Sequence, residues 1–278
     1  MEKQLFSACK DGHIEEVQQI LKNNPRININ WRDTNGATSL YIACEKGHLE
    51  IVKLLLNVKK IDINQGEKWH NQTPFWIACH SRHLEIVKLL LDDKRMDTKK
   101  LNNVKVSPIW STCFFGHVEI LKLLLNDERF DVNKRNLYGI TPFFVACKYG
   151  STEAVKLLLN DERVDVKRAN KNNQTPFLRA CERAHLEVVK YMLITERDVD
   201  LMARDKYGRG AMDNAIEGEK IEQDEDEETL EDFQIRKNNS AKIIELLESF
   251  ERNPNETRFK LRKELGLIGK YYFFLIYI

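Results

Sequence analysis

The amino-acid sequence has no apolar run long enough to cross a membrane and no excess of charge of either sign. Its longest apolar run, residues 271–278, is far shorter than the roughly 18 residues that a transmembrane helix needs. Residues 1–13 lack the apolar stretch of a signal peptide. The 44 basic and 43 acidic residues give a formal net charge of +1, so bulk charge predicts no attraction to nucleic acid or membranes. We therefore expect an intracellular, cytoplasmic protein, with the nucleus left open.

Motifs that mark catalytic and cofactor sites are also missing. The sequence contains no C-x-x-C pair, no glycine-rich phosphate loop, and neither of the patterns H-E-x-x-H and G-x-S-x-G. We therefore expect no enzymatic activity, no small-molecule substrate, and no metal or other cofactor.

What the sequence does contain is an internal repeat, marked by its six cysteines. They follow one another at intervals of 35, 35, 34, 34 and 34 residues, and a period of this length is typical of stacked supersecondary units. The six are Cys9, Cys44, Cys79, Cys113, Cys147 and Cys181.

Five of these cysteines precede a histidine by four residues, which raises three interpretations: half of a zinc site, a thiol nucleophile, or structural packing. Gly47 lies between Cys44 and His48 and is expected to end the helix, so the two side chains do not share one helix face. Stacked helices lie about 8–10 Å apart, which is too far for equivalent residues to ligate one metal at about 2.0–2.3 Å. We favour packing, with cysteine as a small buried residue and histidine as a turn or capping residue. The other pairs are Cys9 with His13, Cys79 with His83, Cys113 with His117 and Cys181 with His185.

Each repeat has the same internal order. Threonine followed by proline, as at Thr73, Thr141 and Thr175, predicts a helix N-cap and a first helical position. A short apolar helix then ends at a glycine, and a second helix begins, as in the string "HLEIVKLLL". Neither helix can bury its apolar face alone, so neighbouring repeats are expected to stack into a solenoid.

The strings "TPFWIA", "TPFFVA" and "TPFLRA" that begin at these threonines closely resemble the ankyrin repeat family, whose signature is T-P-L-H-x-A. The resemblance spans residues 1–250 and implies an all-α, ankyrin-type solenoid of six to seven helix-turn-helix repeats with hairpin-like loops. A C-terminal helix and an apolar tail are expected over residues 251–278. The helix is expected over residues 252–266 with Asn255 or Thr257 as its N-cap, and the tail either covers the last repeat, marks a truncation, or makes a minor membrane contact.

The repeats depart from the family signature in two ways. Arg82 and Ala184 stand where a left-handed glycine is expected, and each costs about 1–2 kcal/mol if that backbone geometry is kept. The signature histidine is replaced in five repeats, by Tyr41, Trp76, Trp110, Phe144 and Leu178.

The resemblance also implies where a partner would bind. The two residues after each cysteine, together with the tips of the hairpin-like loops, are expected to line a concave face. Aromatic residues at these positions in the central repeats predict a patch for a protein partner of unknown identity, with charged residues at both ends. The alternative is that some of these rings pack into adjacent repeats. The predicted partner-binding residues are Trp69, His70, Phe114, Phe115, Tyr138 and Tyr149, with Lys46 and Arg183 at the charged ends.

Charged segments suggest two further hypotheses. A basic column on the hairpin side makes polyanion or nucleic-acid binding the alternative function, although the near-zero net charge and the lack of a known reading motif count against it. An acidic insertion over residues 217–232 predicts a disordered loop at about 219–238, or else a segment that folds over the basic column. The basic column on the hairpin side consists of Arg32, Lys68, Lys99, Lys100, Lys134, Arg135, Lys167, Arg168 and Arg204.

Overall fold

The computed structural model describes residues 1–223 and 228–267, and within them the protein is helical apart from loops and one isolated antiparallel bridge between Arg32 and Thr38. The all-α prediction is confirmed. The helices of the described residues are α1 (Glu2–Asp11), α2 (Ile14–Asn23), α3 (Ser39–Lys46), α4 (Leu49–Leu56), α5 (Pro74–His80), α6 (Leu84–Asp92), α7 (Pro108–Phe115), α8 (Val118–Leu125), α9 (Pro142–Lys148), α10 (Thr152–Leu159), α11 (Pro176–Glu182), α12 (Leu186–Ile194), α13 (Ala211–Lys220), α14 (Leu230–Arg252) and α15 (Pro254–Glu264).

The chain divides into two compact units, Met1–Leu137 and Tyr138–Ile278. In the first unit, the first helices of successive repeats (α1, α3, α5 and α7) contact one another in order, and so do the second helices (α2, α4, α6 and α8). In the second unit, the first helices are α9, α11 and α13, the second helices are α10, α12 and α14, and α15 contacts both α12 and α14. Seven helix pairs thus lie within the described residues, in agreement with the six to seven repeats expected.

Polar caps begin the first helices as the sequence predicts. The hydroxyl oxygens of Thr73 and Thr141 each accept a hydrogen bond from the backbone N–H three residues later, at 3.1 Å, and Thr175 does so at 3.3 Å. The hydroxyl oxygens of Thr38 and Ser107 accept the same hydrogen bond at the starts of α3 and α7. Such a cap is worth about 1 kcal/mol, which matters for helices of only seven or eight residues.

A left-handed residue lies between the two helices of a repeat, where the family has glycine. Gly47 has φ of +79° and Gly116 has φ of +67°. Arg82 and Ala184 keep the same geometry, with φ of +64° and +57°. The backbone therefore accepts the left-handed strain at these two positions rather than changing the turn.

The histidine column links consecutive repeats, which corrects the turn or capping role expected from the sequence. His48, His83 and His185 occupy N-cap positions of the second helices, but their side chains make no capping hydrogen bond. Instead Nε2 of each ring donates to a carbonyl near the end of the preceding repeat's first helix. The bonds run from His48 to Lys10 (3.1 Å), His83 to Glu45 (3.0 Å), His117 to His80 (2.9 Å) and His185 to Lys148 (2.8 Å).

An arginine column in the loops that follow the second helices is another link between repeats, and it was not predicted from the sequence. Arg95 forms an ion pair with Asp93 at 2.6 Å and donates to the Leu56 carbonyl of the preceding repeat at 2.9 Å. Arg129 does the same with Asp127 at 2.6 Å and with the Leu91 carbonyl at 3.0 Å. The hydrogen bond from Arg95 holds the pKa of Asp93 below its ordinary value. These arginines therefore cap the end of the second helix of the preceding repeat.

The C-terminal part of the second unit differs from two expectations. Residues 230–238 were expected in a disordered loop, but they form the beginning of α14, whose later turns bury Ile243 and Leu247. Residues 224–227 and the apolar tail, 271–278, lie outside the described residues. The N-cap of α15 is Asn253 and not Asn255 or Thr257, because Pro254 takes the first helical position and Asn253 accepts from the Glu256 N–H at 3.2 Å.

Gly150 and Gly208 of the second unit form a matched pair for testing the histidine column. Both are left-handed, with φ of +68° and +78°, so an alanine at either costs about 1–2 kcal/mol. An added Cβ at Gly150 would lie 2.5 Å from Nδ1 of His185, whereas one at Gly208 meets nothing within 4 Å. We expect Gly150→Ala to lower the free energy of unfolding by about 1 kcal/mol more than Gly208→Ala, because the displaced ring loses its hydrogen bond to Lys148. Urea unfolding followed by circular dichroism measures both, and equal losses would contradict the linking role.

Candidate functional site

The six cysteines are all buried free thiols in the first helices. Burial raises the pKa of the Cys9 thiol to about 12, and it raises the pKa values of Cys44 and Cys113 further. A protonated, buried thiol is a poor nucleophile and a poor metal ligand. The described residues contain no group of three or more His, Cys, Asp or Glu side chains placed to hold a metal ion.

The hairpin tip at Trp69 and His70 is held by several hydrogen bonds and presents both side chains to solvent. Both oxygens of the buried Glu67 carboxylate accept backbone hydrogen bonds at this tip, from the N–H groups of Trp69 and His70 at 2.6 Å. The next tip is attached to it, since the Asn103 N–H donates to the His70 carbonyl at 2.7 Å. The Trp69 side chain is nevertheless 60% exposed, with the Lys68 ammonium 4.6 Å from its ring centroid.

Lys46, Trp69 and His70 line one depression of about 410 Å³ in the first unit, here called the tip depression. Tyr41 and Glu45 of α3 contribute to its wall. Burial, followed by the negative charges of Glu45 and Glu67, raises the pKa of Tyr41, so its hydroxyl stays protonated. Three of the predicted partner-binding residues are therefore neighbours in the structure.

Phe114 and Phe115 belong to a second group of the first unit, the aromatic cluster, which also contains Trp76, His80 and Trp110. Trp76 stacks on His80 at 5.0 Å between ring centroids, and His80 meets the edge of Phe115 at 4.6 Å. Phe115 contacts Phe114 at 4.6 Å, and Phe114 stacks on Trp110 at 5.5 Å. The cluster holds Phe115 in place while leaving it 48% exposed.

Sequence reasoning missed this cluster. It treated Trp76 and Trp110 as replacements of the signature histidine, and it placed His80 among the exposed residues that follow a cysteine without pairing its ring with Trp76. The spacing of these aromatic residues in the sequence does indicate the cluster. Trp76 precedes His80 by four residues, and Trp110 precedes Phe114 by four, so each pair shares one helix face. Burial lowers the pKa of His80, as does the charge of His117 to a smaller extent, so the His80 ring is neutral near pH 7 and stacks as an aromatic group.

The remaining predicted residues, Tyr138, Tyr149 and Arg183, lie in the second unit. Tyr138 is at a hairpin tip and 65% exposed, and its carbonyl accepts from the Lys171 N–H at 3.4 Å. Tyr149 follows α9 and is 45% exposed, with the Lys148 ammonium 4.8 Å from its ring centroid. Arg183 follows α11 and is exposed. One patch shared by all of the predicted residues stays a prediction.

Much of the predicted basic column is engaged within the chain. Arg32 donates to the carbonyls of Gly36 and Gly66 at 2.9 and 3.0 Å. Lys167 pairs with Asp198. Arg168 pairs with Asp165 at 2.9 Å, and Arg204 donates to the Gly208 carbonyl at 3.0 Å.

The described part of the acidic insertion contacts α14. Arg236 forms an ion pair with Glu228 at 2.8 Å and donates to the Gly218 carbonyl at 3.0 Å and the Ile221 carbonyl at 3.3 Å. The intramolecular contact predicted for residues 217–232 thus includes a helix of the same repeat. Contact with the basic column stays a prediction, because residues 224–227 lie outside the described range.

The repeated helix pairs, their Thr-Pro caps and their left-handed turns agree with a comparison to protein families. A family model for ankyrin repeats, in three copies, matches residues 5–102, 59–136 and 109–205, which together cover most of the chain. The chain belongs to the ankyrin repeat family. Domains of this family generally mediate protein–protein interaction and serve as interaction modules rather than catalysts.

Two solved structures of ankyrin repeat domains are similar to this chain. One is the domain of Bcl-3, described as a unique member of the IkappaB protein family, at 18% identity and a TM-score of 0.67, covering 76% of this chain and 92% of that one. The other is the domain of human ASB11, at 26% identity and a TM-score of 0.63, covering 76% of this chain and 90% of that one. A search of curated proteins gave no match. No helix within the described residues has the length and apolarity to span a membrane.

The buried thiols allow a direct test of the packing interpretation. We expect the native ankyrin protein to leave its cysteines unmodified by a thiol-specific disulfide reagent at pH 8, because burial keeps the thiols protonated and out of reach. Unfolding in guanidinium should release all six to reaction. Fast modification of one cysteine in the native protein would contradict packing and reopen the nucleophile interpretation for that residue.

Proposed function

We propose that this chain is a non-catalytic interaction module that binds a partner protein through the face formed by its first helices and hairpin tips. The observation that carries the proposal is the exposure of four aromatic side chains at hairpin tips and at the ends of first helices. Trp69 and Phe115 in the first unit, and Tyr138 and Tyr149 in the second, are each about half exposed or more. Exposed aromatic residues of this kind are enriched among the residues that dominate binding energy.

Rigidity supports binding because little conformational entropy is lost when the partner docks. At the Trp69 tip, the Glu67 carboxylate accepts a backbone hydrogen bond from Trp69, and another backbone hydrogen bond links this tip to the next one. Phe115 is held between Phe114 and His80 by ring contacts. The two aromatic anchors, Trp69 and Phe115, are thus preorganised for binding.

The two groups of the first unit suit different parts of one partner surface. The tip depression is concave and lined by aromatic and charged groups, including Tyr41, Glu45 and Lys46, so it can receive a single projecting side chain. The aromatic cluster offers a flatter apolar surface around Phe115. An apolar centre with a charged margin is the usual arrangement at protein–protein interfaces.

A protein partner is favoured over nucleic acid because part of the basic column already bonds to oxygen atoms of the chain itself. Arg32, Arg168 and Arg204 donate to carbonyl or carboxylate oxygens of the chain itself, and Lys167 pairs with Asp198. Such side chains release few counterions on binding a polyanion, which removes the main source of affinity.

Substitution of Phe115 tests the proposal once a partner has been captured by proximity labelling with the wild-type chain. We expect Phe115→Ala to weaken partner binding at least about tenfold, which corresponds to the loss of one interface anchor. Tyr149→Ala, measured separately, reports whether the second unit contributes. Affinity is measured by calorimetry, and the thermal midpoint of each variant confirms that the repeat stack is intact.

The matched control is Lys88→Ala on the second helix α6, where the side chain is exposed and, among the described residues, pairs only with Glu85 of the same helix at 2.7 Å. This exposed pair contributes little to stability, so the control should bind and melt like the wild type. If Phe115→Ala and Tyr149→Ala bind as tightly as Lys88→Ala, the proposed face is wrong. If Lys88→Ala alone weakens binding, the interface lies on the second helices instead.

A further inference from the structure

The loop that contains Thr98 and Lys99 departs from the pattern of its neighbours at these two adjacent positions. In the preceding loop, Asp62 is followed by the buried residue Ile63 and then by Asn64. The following loop has Val132, also buried, in place of Ile63. Here Thr98 and Lys99 occupy these two positions, and Thr98 is only partly buried. A smaller polar residue has thus replaced an apolar one, and a cation has replaced an amide.

The asparagine at this position normally joins two consecutive loops. Nδ2 of Asn30 donates to the Lys60 carbonyl, and Oδ1 accepts from the Asp62 N–H, both at 2.8 Å. Asn64 repeats this arrangement one unit later, donating to the Arg95 carbonyl and accepting from the Asp97 N–H at the same distance. Each amide therefore satisfies one acceptor and one donor of the next loop.

Lys99 cannot make the second of these bonds, because an ammonium has no acceptor atom. Within the described residues, the Asp131 N–H, which is the counterpart of the Asp97 N–H, has no acceptor in the chain. The Arg129 carbonyl has only the Thr98 hydroxyl, at 3.4 Å. The substitution therefore leaves a backbone donor open to an outside group.

A cavity of about 280 Å³ lies at this interruption, inside the first unit. Leu101, Ile109 and Phe130 supply its apolar lining, and Phe130 is fixed by stacking on Phe75 at 5.8 Å between ring centroids.

Lysines supply the unpaired positive charge of this cavity. Lys99 and Lys134 line it, and neither makes an ion pair with any described residue. Arg129 also lines it but is already paired with Asp127. One carboxylate, that of Asp131, opposes them, and its Oδ1 accepts from the Asn133 N–H at 2.9 Å.

We propose that this cavity binds an oxyanion carried on a small apolar body, of the kind that an aryl phosphate provides. One anion oxygen takes the place of the missing amide oxygen and accepts from the Asp131 N–H. The ammonium groups of Lys99 and Lys134 balance its charge, and the apolar body rests on Ile109 and Phe130. The site is separate from the proposed partner-binding face, since it shares no lining residue with the tip depression.

Phenyl phosphate, inorganic phosphate and phenol are the probes that test this site in the full chain. We expect phenyl phosphate to bind at least about tenfold more tightly than either of the other two, because only it has both the anion and the apolar body. Titration calorimetry measures affinity, and the shift of the Asp131 amide proton in NMR spectra reports whether the vacant donor is used.

Three substitutions distinguish binding in this cavity from nonspecific attraction of the anion to positive charge on the surface. Thr98→Ile and Lys99→Asn restore the residues found in the preceding loop, so both variants should fold. The first narrows the cavity and removes the hydroxyl, the second rebuilds the amide link, and each should lose at least about tenfold in affinity. Lys100→Asn removes an exposed charge from the same loop without touching the cavity lining and should bind like the wild type. The proposal is overturned if phenyl phosphate fails to bind, if Lys100→Asn weakens binding as much as Lys99→Asn, or if both restoring variants bind normally.

Discussion

The contact between consecutive repeats is the interaction on which the rest of this protein depends. Its first helices are only seven to ten residues long, too short to be stable in water by themselves. They gain stability by packing against neighbouring repeats, and in α1, α3, α5 and α9 one of the last carbonyls also accepts a hydrogen bond from a histidine of the next repeat, such as His83 or His185. The glycine next to that histidine ring is needed for two reasons. It adopts a left-handed φ, and its lack of a side chain allows the close approach of the imidazole.

The parts of the fold that the sequence predicts correctly are those controlled by local interactions. The Thr-Pro caps at Thr73 and Thr175 and the left-handed turns at Arg82 and Ala184 each involve only a few neighbouring residues. The role of His185 could not be predicted in this way, because its bonding partner lies 37 residues earlier. Arg95 was missed for the same reason, since its carbonyl partner is 39 residues away.

The candidate site was predicted in part for a similar reason. The repeat pattern identifies which positions leave the core, so it correctly selects Trp69, Phe115 and Tyr149 as exposed. It does not determine side-chain rotamers, and the stacking of Trp76 on His80 depends on them. A charge run likewise predicts disorder by composition, but α14 continues through residues 230–238 because its later turns are buried and Arg236 fixes the loop before it.

The same physical logic explains why the stack can accommodate Lys99. Links between repeats are redundant, since near Lys99 the chain keeps the bond from His117 to the His80 carbonyl, the bond from Arg129 to the Leu91 carbonyl and buried apolar contacts. In a structure held by nearest-neighbour contacts, the loss of one link weakens one interface and leaves the others unchanged. A repeat protein can therefore exchange a structural amide for a lysine and a cavity at one interface, and such an interruption becomes a place where a ligand completes the hydrogen bonding that the chain itself leaves open.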